Sequence, residues 1–122
     1  MKYALLIYAD ESVWESMGGE GRARMYEEHG RFAAWLEEKG WIRGAEELGS
    51  TKSATTVRIR EGELLTTDGP FAETKEQLGG FYLIGCENLD QAIEAASRLP
   101  GVDRGTIEIR PVVELPDADH PH

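Results

Sequence analysis

Between Arg22 and Lys39, the residues Met25, His29, Phe32, Ala33 and Leu36 recur at helical spacing, while Glu27, Glu28, Arg31, Glu37 and Glu38 fill most of the remaining circumference. A helix with one apolar stripe must lay it on another element to take it out of water. Gly40 supplies a left-handed stop. A second stripe comes much later. Asn88 is a cap, Gln91 stands in capping-box register, and Leu89, Ala92, Ile93, Ala96 and Leu99 form the face expected to be buried, ended by Pro100 and Gly101. Two such helices in 122 residues, each flanked by segments that read as strands, restrict the chain to a few layered α+β plans.

The strands follow from shorter patterns. Met1 to Tyr8 is apolar and aromatic, bounded by "ADES", and predicts a central strand. "ESMGGEG" reads as a glycine-rich, mobile connection, and "WIRGAEEL" as a weaker second strand. In "ATTVRIREGELLTT", Val57 and Ile59 alternate with Arg58 and Arg60 around a two-residue turn at Glu61-Gly62, which pairs Ile59 with Leu64. "GGFYLIGCE" is a strand whose Gly79 and Gly80 permit a bulge or a close backbone approach. "GTIEIRPVVEL" closes the domain, with Ile107 and Ile109 on one face and Glu108 and Arg110 on the other. The domain therefore covers 1–115, and 116–122 reads as a frayed acidic tail.

The order strand, helix, strand, hairpin, strand, helix, strand predicts a ferredoxin-like α+β fold: a mostly antiparallel sheet, two helices on one face and an inserted β-hairpin. Apolar residues on both faces of Met1–Tyr8 and Phe81–Cys86 predict that a second subunit covers the other side of the sheet, as in a homodimer.

Thirteen basic against twenty-three acidic side chains give a formal charge of -10, a field that repels nucleic acid and anionic lipid. "MKYALLIYADES" imitates a secretory leader, but Asp10 and Glu11 follow at once without a cleavage site, and no stretch is long enough to span a membrane. The single cysteine, Cys86, lies in an apolar strand and reads as a core residue, in keeping with a reducing cytoplasm. His120 and His122 have no ordered companions, and no zinc spacing, phosphate loop or nucleophile elbow is present, so neither metal nor cofactor is expected.

The run "DGPFAETKEQLGGFYLI", Asp68 to Ile84, resembles the signature of the DGPF family within the YCII-related superfamily. "IEIRPV", Ile107 to Val112, is similar to that family's usual end, and "EEL" at Glu46–Leu48 also suits it, so the resemblance covers about residues 1 to 115. It implies a small, cytoplasmic, bacterial domain of the dimeric α/β barrel type, often encoded beside alternative sigma factors and without a settled activity. One wider branch resembles dehydrohalogenating or lactone-processing enzymes that use a His and an Asp. The His of that branch lies in the first helix, where His29 stands.

Asp68 and His29 are thus the candidate catalytic pair. Asp68 precedes Gly69-Pro70, where the proline ring is expected to push Gly69 towards extended geometry and stiffen the corner. That carboxylate either points into a pocket or accepts local backbone N–H bonds. His29 is either a proton acceptor over the sheet or a core side chain with one satisfied hydrogen bond. Glu73, Lys75 and Glu76 line a pocket mouth or a solvated loop, and Phe71 reads as an anchor against the core or a partner. Arg110 is placed to bridge to Asp68 or Glu73, and Tyr8 and Tyr82 to offer hydroxyls. Three functions follow: a small-molecule binding module, a lyase or isomerase in which His29 removes a C–H proton while Asp68 orients it and Lys75 or Arg110 steadies charge, or a sigma-factor partner.

Overall fold

The computed structural model describes residues 1–115; the tail read above as frayed lies outside them. In chain order the elements are β1 (Lys2–Ala9), α1 (Glu11–Ser16), α2 (Gly19–Lys39), β2 (Ile42–Glu47), β3 (Thr55–Arg60), β4 (Glu63–Asp68), β5 (Gln77–Gly85), α3 (Leu89–Ser97) and β6 (Thr106–Pro111), with a short 3-10 turn at Thr51–Ser53. The main sheet runs β2-β5-β1-β6, every neighbouring pair antiparallel, which is the ferredoxin-like order with β3 and β4 inserted between its second and third strands. Among the described residues no helix is long and apolar enough to cross a membrane.

Register explains which side chains meet. Tyr3 faces Ile84 and Leu5 faces Tyr82 across β1 and β5, and these four share one face. Phe32 and Leu36 from α2 and Ala92, Ala95, Ala96 and Leu99 from α3 close over that face as one buried core, so both helices lie on the same side. Burial of a leucine-sized side chain contributes roughly 1.5–3 kcal/mol, and Leu5, Leu36, Ile84 and Leu99 are the largest residues wholly inside. Cys86 is buried here as a core residue.

Three local expectations change. "ESMGGEG" is no extended loop, because α1 and α2 are separated by Met17 and Gly18 alone. Asp10 caps α1 by accepting from the Ser12 N–H at 2.9 Å, and Arg22 reaches back to the Trp14 and Glu15 carbonyls at 3.1 Å, so tertiary bonds supply what the glycines fail to supply in propensity. On α3 the buried face is turned from the predicted one: Ala92, Ala95 and Ala96 are inside while Leu89 and Ile93 are about half exposed. Small alanines allow that helix to lie close against the sheet. Gly69, expected to be extended, has φ +99°, a conformation that glycine alone adopts without strain.

The hairpin forms at the predicted register, Ile59 opposite Leu64, with Glu61 at φ 52° and Gly62 at φ 81° making its two-residue turn. It is a separate two-stranded sheet. Gly79 is the extra residue of a bulge, since Ile7 pairs with Gly80 and Tyr8 with Leu78. A Cβ on Gly80 would come within 2.8 Å of the Glu46 carbonyl, so its bareness keeps β2 and β5 together.

Candidate functional site

The first half of α2 is held over the end of the sheet where β5 carries Gly79 and Gly80 instead of side chains. The space that results is a cavity of about 870 Å³, open to solvent, roofed by α1 and α2 and floored by β5, β1 and the end of β2. Its walls include Ile7, Val13, Trp14, Met17, Met25 and Ile107, with polar groups from His29, Tyr82, Glu47 and Gln77.

His29 and Tyr82 form its most defined polar pair. The imidazole Nδ1 and the phenol oxygen are 2.8 Å apart, and the rings lie nearly parallel with centroids 6.0 Å apart. Phe32 packs perpendicular to the Tyr82 ring with centroids 5.0 Å apart, which helps to fix the phenol. Burial lowers the His29 pKa from its ordinary value, against the opposing pull of the Glu47 and Glu28 charges, so the ring is neutral at pH 7. Burial raises the Tyr82 pKa, keeping its proton in place. The pair is therefore a neutral hydrogen-bonding unit, and in the tautomer whose Nδ1–H donates to the phenol oxygen, Nε2 is the nitrogen left to take up a proton.

The mouth is organised by α1. Trp14 lies edge-to-face with Tyr26 at 5.5 Å, and the Arg22 guanidinium sits 5.3 Å over the Trp14 ring. Tyr26 donates its hydroxyl to both oxygens of Glu47, at 3.0 and 3.2 Å. That bond raises the Tyr26 pKa. Glu11 accepts from the Thr51 N–H at 2.7 Å and from its hydroxyl at 2.8 Å, tying α1 to the turn after β2; these bonds lower the Glu11 pKa. Gln77 accepts from the Glu11 N–H at 2.9 Å.

Of the residues singled out from sequence, His29, Tyr82 and Tyr8 border this cavity. The Tyr8 hydroxyl lies 3.5 Å from Glu108 instead of beside His29. Asp68, Gly69, Pro70, Phe71, Glu73, Lys75 and Arg110 do not line it. The physical reason is the hairpin: Asp68 ends β4, opposite Thr55, and the segment after it leaves from that detached sheet. The Gly69 N–H donates to the Ala54 carbonyl at 2.7 Å and the Thr56 hydroxyl donates to the Gly69 carbonyl at 2.8 Å, so the corner is braced by backbone bonds. Phe71 is 78% exposed and anchors nothing in its own chain. Arg110 sits on β6 opposite Ala4, and among the described residues it makes no ion pair with Asp68 or Glu73.

Trp14, Arg22, Tyr26 and Glu47 escaped the sequence reading. Tyr26 and Glu47 are 21 positions apart and meet only because β2 returns along α2. The usable signal was helical spacing, since Arg22, Tyr26 and His29 recur at four and three residues on one side of α2.

A model of the YCII-related domain matches residues 1–116. The chain belongs to the YCII-related family. An uncharacterized protein of Rhizobium meliloti (strain 1021) is 40% identical over 114 residues, covering 92% of each chain. Membership in the YCII-related family thus extends over the whole described fold, including the hairpin.

Proposed function

We propose that this YCII-related chain binds a small organic molecule in the cavity between α2 and the sheet, with His29 and Tyr82 as hydrogen-bonding partners in its wall. The observation that carries this is a mostly apolar, open cavity of about 870 Å³ with one neutral, hydrogen-bonded His–Tyr pair in its wall. Small-molecule sites are typically about 300–1,000 Å³, apolar, with a few placed polar groups. Ala45, on β2 opposite Tyr82, also lines the space. Fragments that raise the melting temperature of the native chain should lose that effect in Ala45→Leu, which fills the cavity from β2 and leaves both His29 and Tyr82 in the sequence. Fragment binding that survives in a folded Ala45→Leu protein would refute this site.

A proton-abstracting activity at the same place is favoured by one observation: a neutral imidazole with Nδ1 engaged by a phenol. In that reading His29 is the base and Tyr82 the orienting group, the role first expected of Asp68. Deuterium exchange into a bound C–H acid, lost in His29→Ala, is the corresponding test. The run from Asp68 to Ile84 further supports assignment to the DGPF branch. The exposed apolar hairpin supports a homodimer, and the single buried thiol suits the cytoplasm.

A further inference from the structure

The charges around the cavity are not balanced, and the imbalance is local. Asp10 is satisfied by the Ser12 N–H and hydroxyl, at 2.9 and 2.7 Å. Glu11 is satisfied by Thr51 and Ser50, and Glu15 by Lys52 at 3.1 Å. Glu46 stands opposite Phe81, so alternation turns it to the other face of the sheet, while Glu47, opposite Gly80, is on the cavity face. Glu47 accepts from Tyr26, a neutral phenol, and no cationic side chain pairs with it among the described residues.

Two arginines border the cavity against five carboxylates, Asp10, Glu11, Glu15, Glu46 and Glu47, so they offset the acidic lining only in part. Arg22 gives its Nε and Nη2 to the backbone carbonyls of Trp14 and Glu15. Arg104 is exposed and has the Asp103 carboxylate 3.9 Å away. The Tyr26 ring stands next to the Glu47 carboxylate, and ring faces attract cations as a carboxylate does, whereas the Trp14 ring already carries the Arg22 guanidinium. An anionic ligand would meet an excess of carboxylates over guanidinium groups along the lining.

Granting the cavity proposed above, we infer that its ligand is an organic cation: a protonated amine on an apolar skeleton about the size of an aromatic ring, countered by Glu47 and flanked by Tyr26. The ammonium end lies at the mouth, where water and Glu47 share its solvation. The apolar body reaches inward past Met25 towards Ile7 and Ile107. His29 and Tyr82, both uncharged, accept any second polar group without opposing the cation.

Three matched probes decide this: 2-phenylethylamine, 2-phenylethanol and 3-phenylpropionate, titrated into the isotope-labelled full chain at neutral pH and low salt and followed by amide chemical shifts. The expected result is binding at the cavity in the order amine, alcohol, carboxylate, with the amine at least about tenfold tighter than the alcohol. In Glu47→Gln the amine should fall to the affinity of the alcohol, whereas the exposed helical change Glu38→Gln should leave the order unaltered. Equal or tighter binding of the alcohol or the carboxylate, or an amine affinity indifferent to Glu47→Gln, overturns the charge assignment and leaves the cavity reading standing. If none of the three probes shifts cavity residues, both fall.

Discussion

The main sheet and the β3–β4 hairpin use the same alternation of apolar and polar residues and end in opposite environments. On β1 and β5, Tyr3, Leu5, Tyr82 and Ile84 are sealed beneath Phe32, Leu36 and the α3 alanines. On the hairpin, Val57, Ile59 and Leu64 share one face and remain 59%, 71% and 67% exposed. Alternation specifies which side chains share a face; whether that face has a cover depends on a helix stripe of matching length, and both stripes of this chain are already used by the main sheet. An isolated two-stranded hairpin is marginal in water. The core face of the main sheet is therefore covered within one chain, whereas the apolar face of the hairpin has no cover among the described residues.

The sharpest break of this comparison is Leu36→Ala, which leaves a hole in the core and should cost about 2–5 kcal/mol in a denaturant titration. Ile59→Ala, an apolar truncation on the other sheet, should change the stability of the isolated chain by no more than about 0.5 kcal/mol. Its effect should appear in sedimentation equilibrium as weaker self-association; strong global destabilisation of a monomer would erase the contrast.

At the cavity, Trp14→Ala removes the ring that Tyr26 and Arg22 rest on, and should cost about 0.5–1.5 kcal/mol beyond its buried area, seen as faster hydrogen exchange across α1. Tyr82→Phe deletes the bond to His29 and should cost about 1 kcal/mol, with little effect on the Phe32 contact.

The smallest effect is in the pH dependence of stability. Burial lowers the His29 pKa below its ordinary 6.5, so the unfolded chain takes up the proton first as pH falls. The stability contributed by the neutral ring is whole above about 6.5 and disappears as pH drops from there through the lowered folded value. His29→Gln should flatten that part of the stability profile, and an unchanged slope would show that the ring is hydrated in the native chain.

Much of the architecture was legible because it rests on local chemistry. The α2 stripe, Gly40, the Asn88 cap and the Glu61-Gly62 turn each carry their instruction within a few residues, and the structure follows them. The short α1 was not legible, since its helix is held by Arg22 from a later turn and by Glu11 reaching Thr51. The site divided in the same way. His29 and Tyr82 lie on strongly patterned elements and meet, 53 positions apart. Asp68 was placed beside them by its sequence run, but a stiff Gly-Pro corner gives local shape and no direction relative to a sheet formed elsewhere. Glu47 looked like an ordinary surface acid at the end of a weak strand, and its meaning depends on the β2–β5 register.

Soaking a crystal of the chain with a mixture of ring-sized fragments would locate the binding site outright. Ordered density is expected between α2 and β5, touching His29 and Tyr82, with the residues from Asp68 to Lys75 of the same chain bare. Density seated against Asp68 and Phe71, with the space under α2 holding water alone, would contradict it.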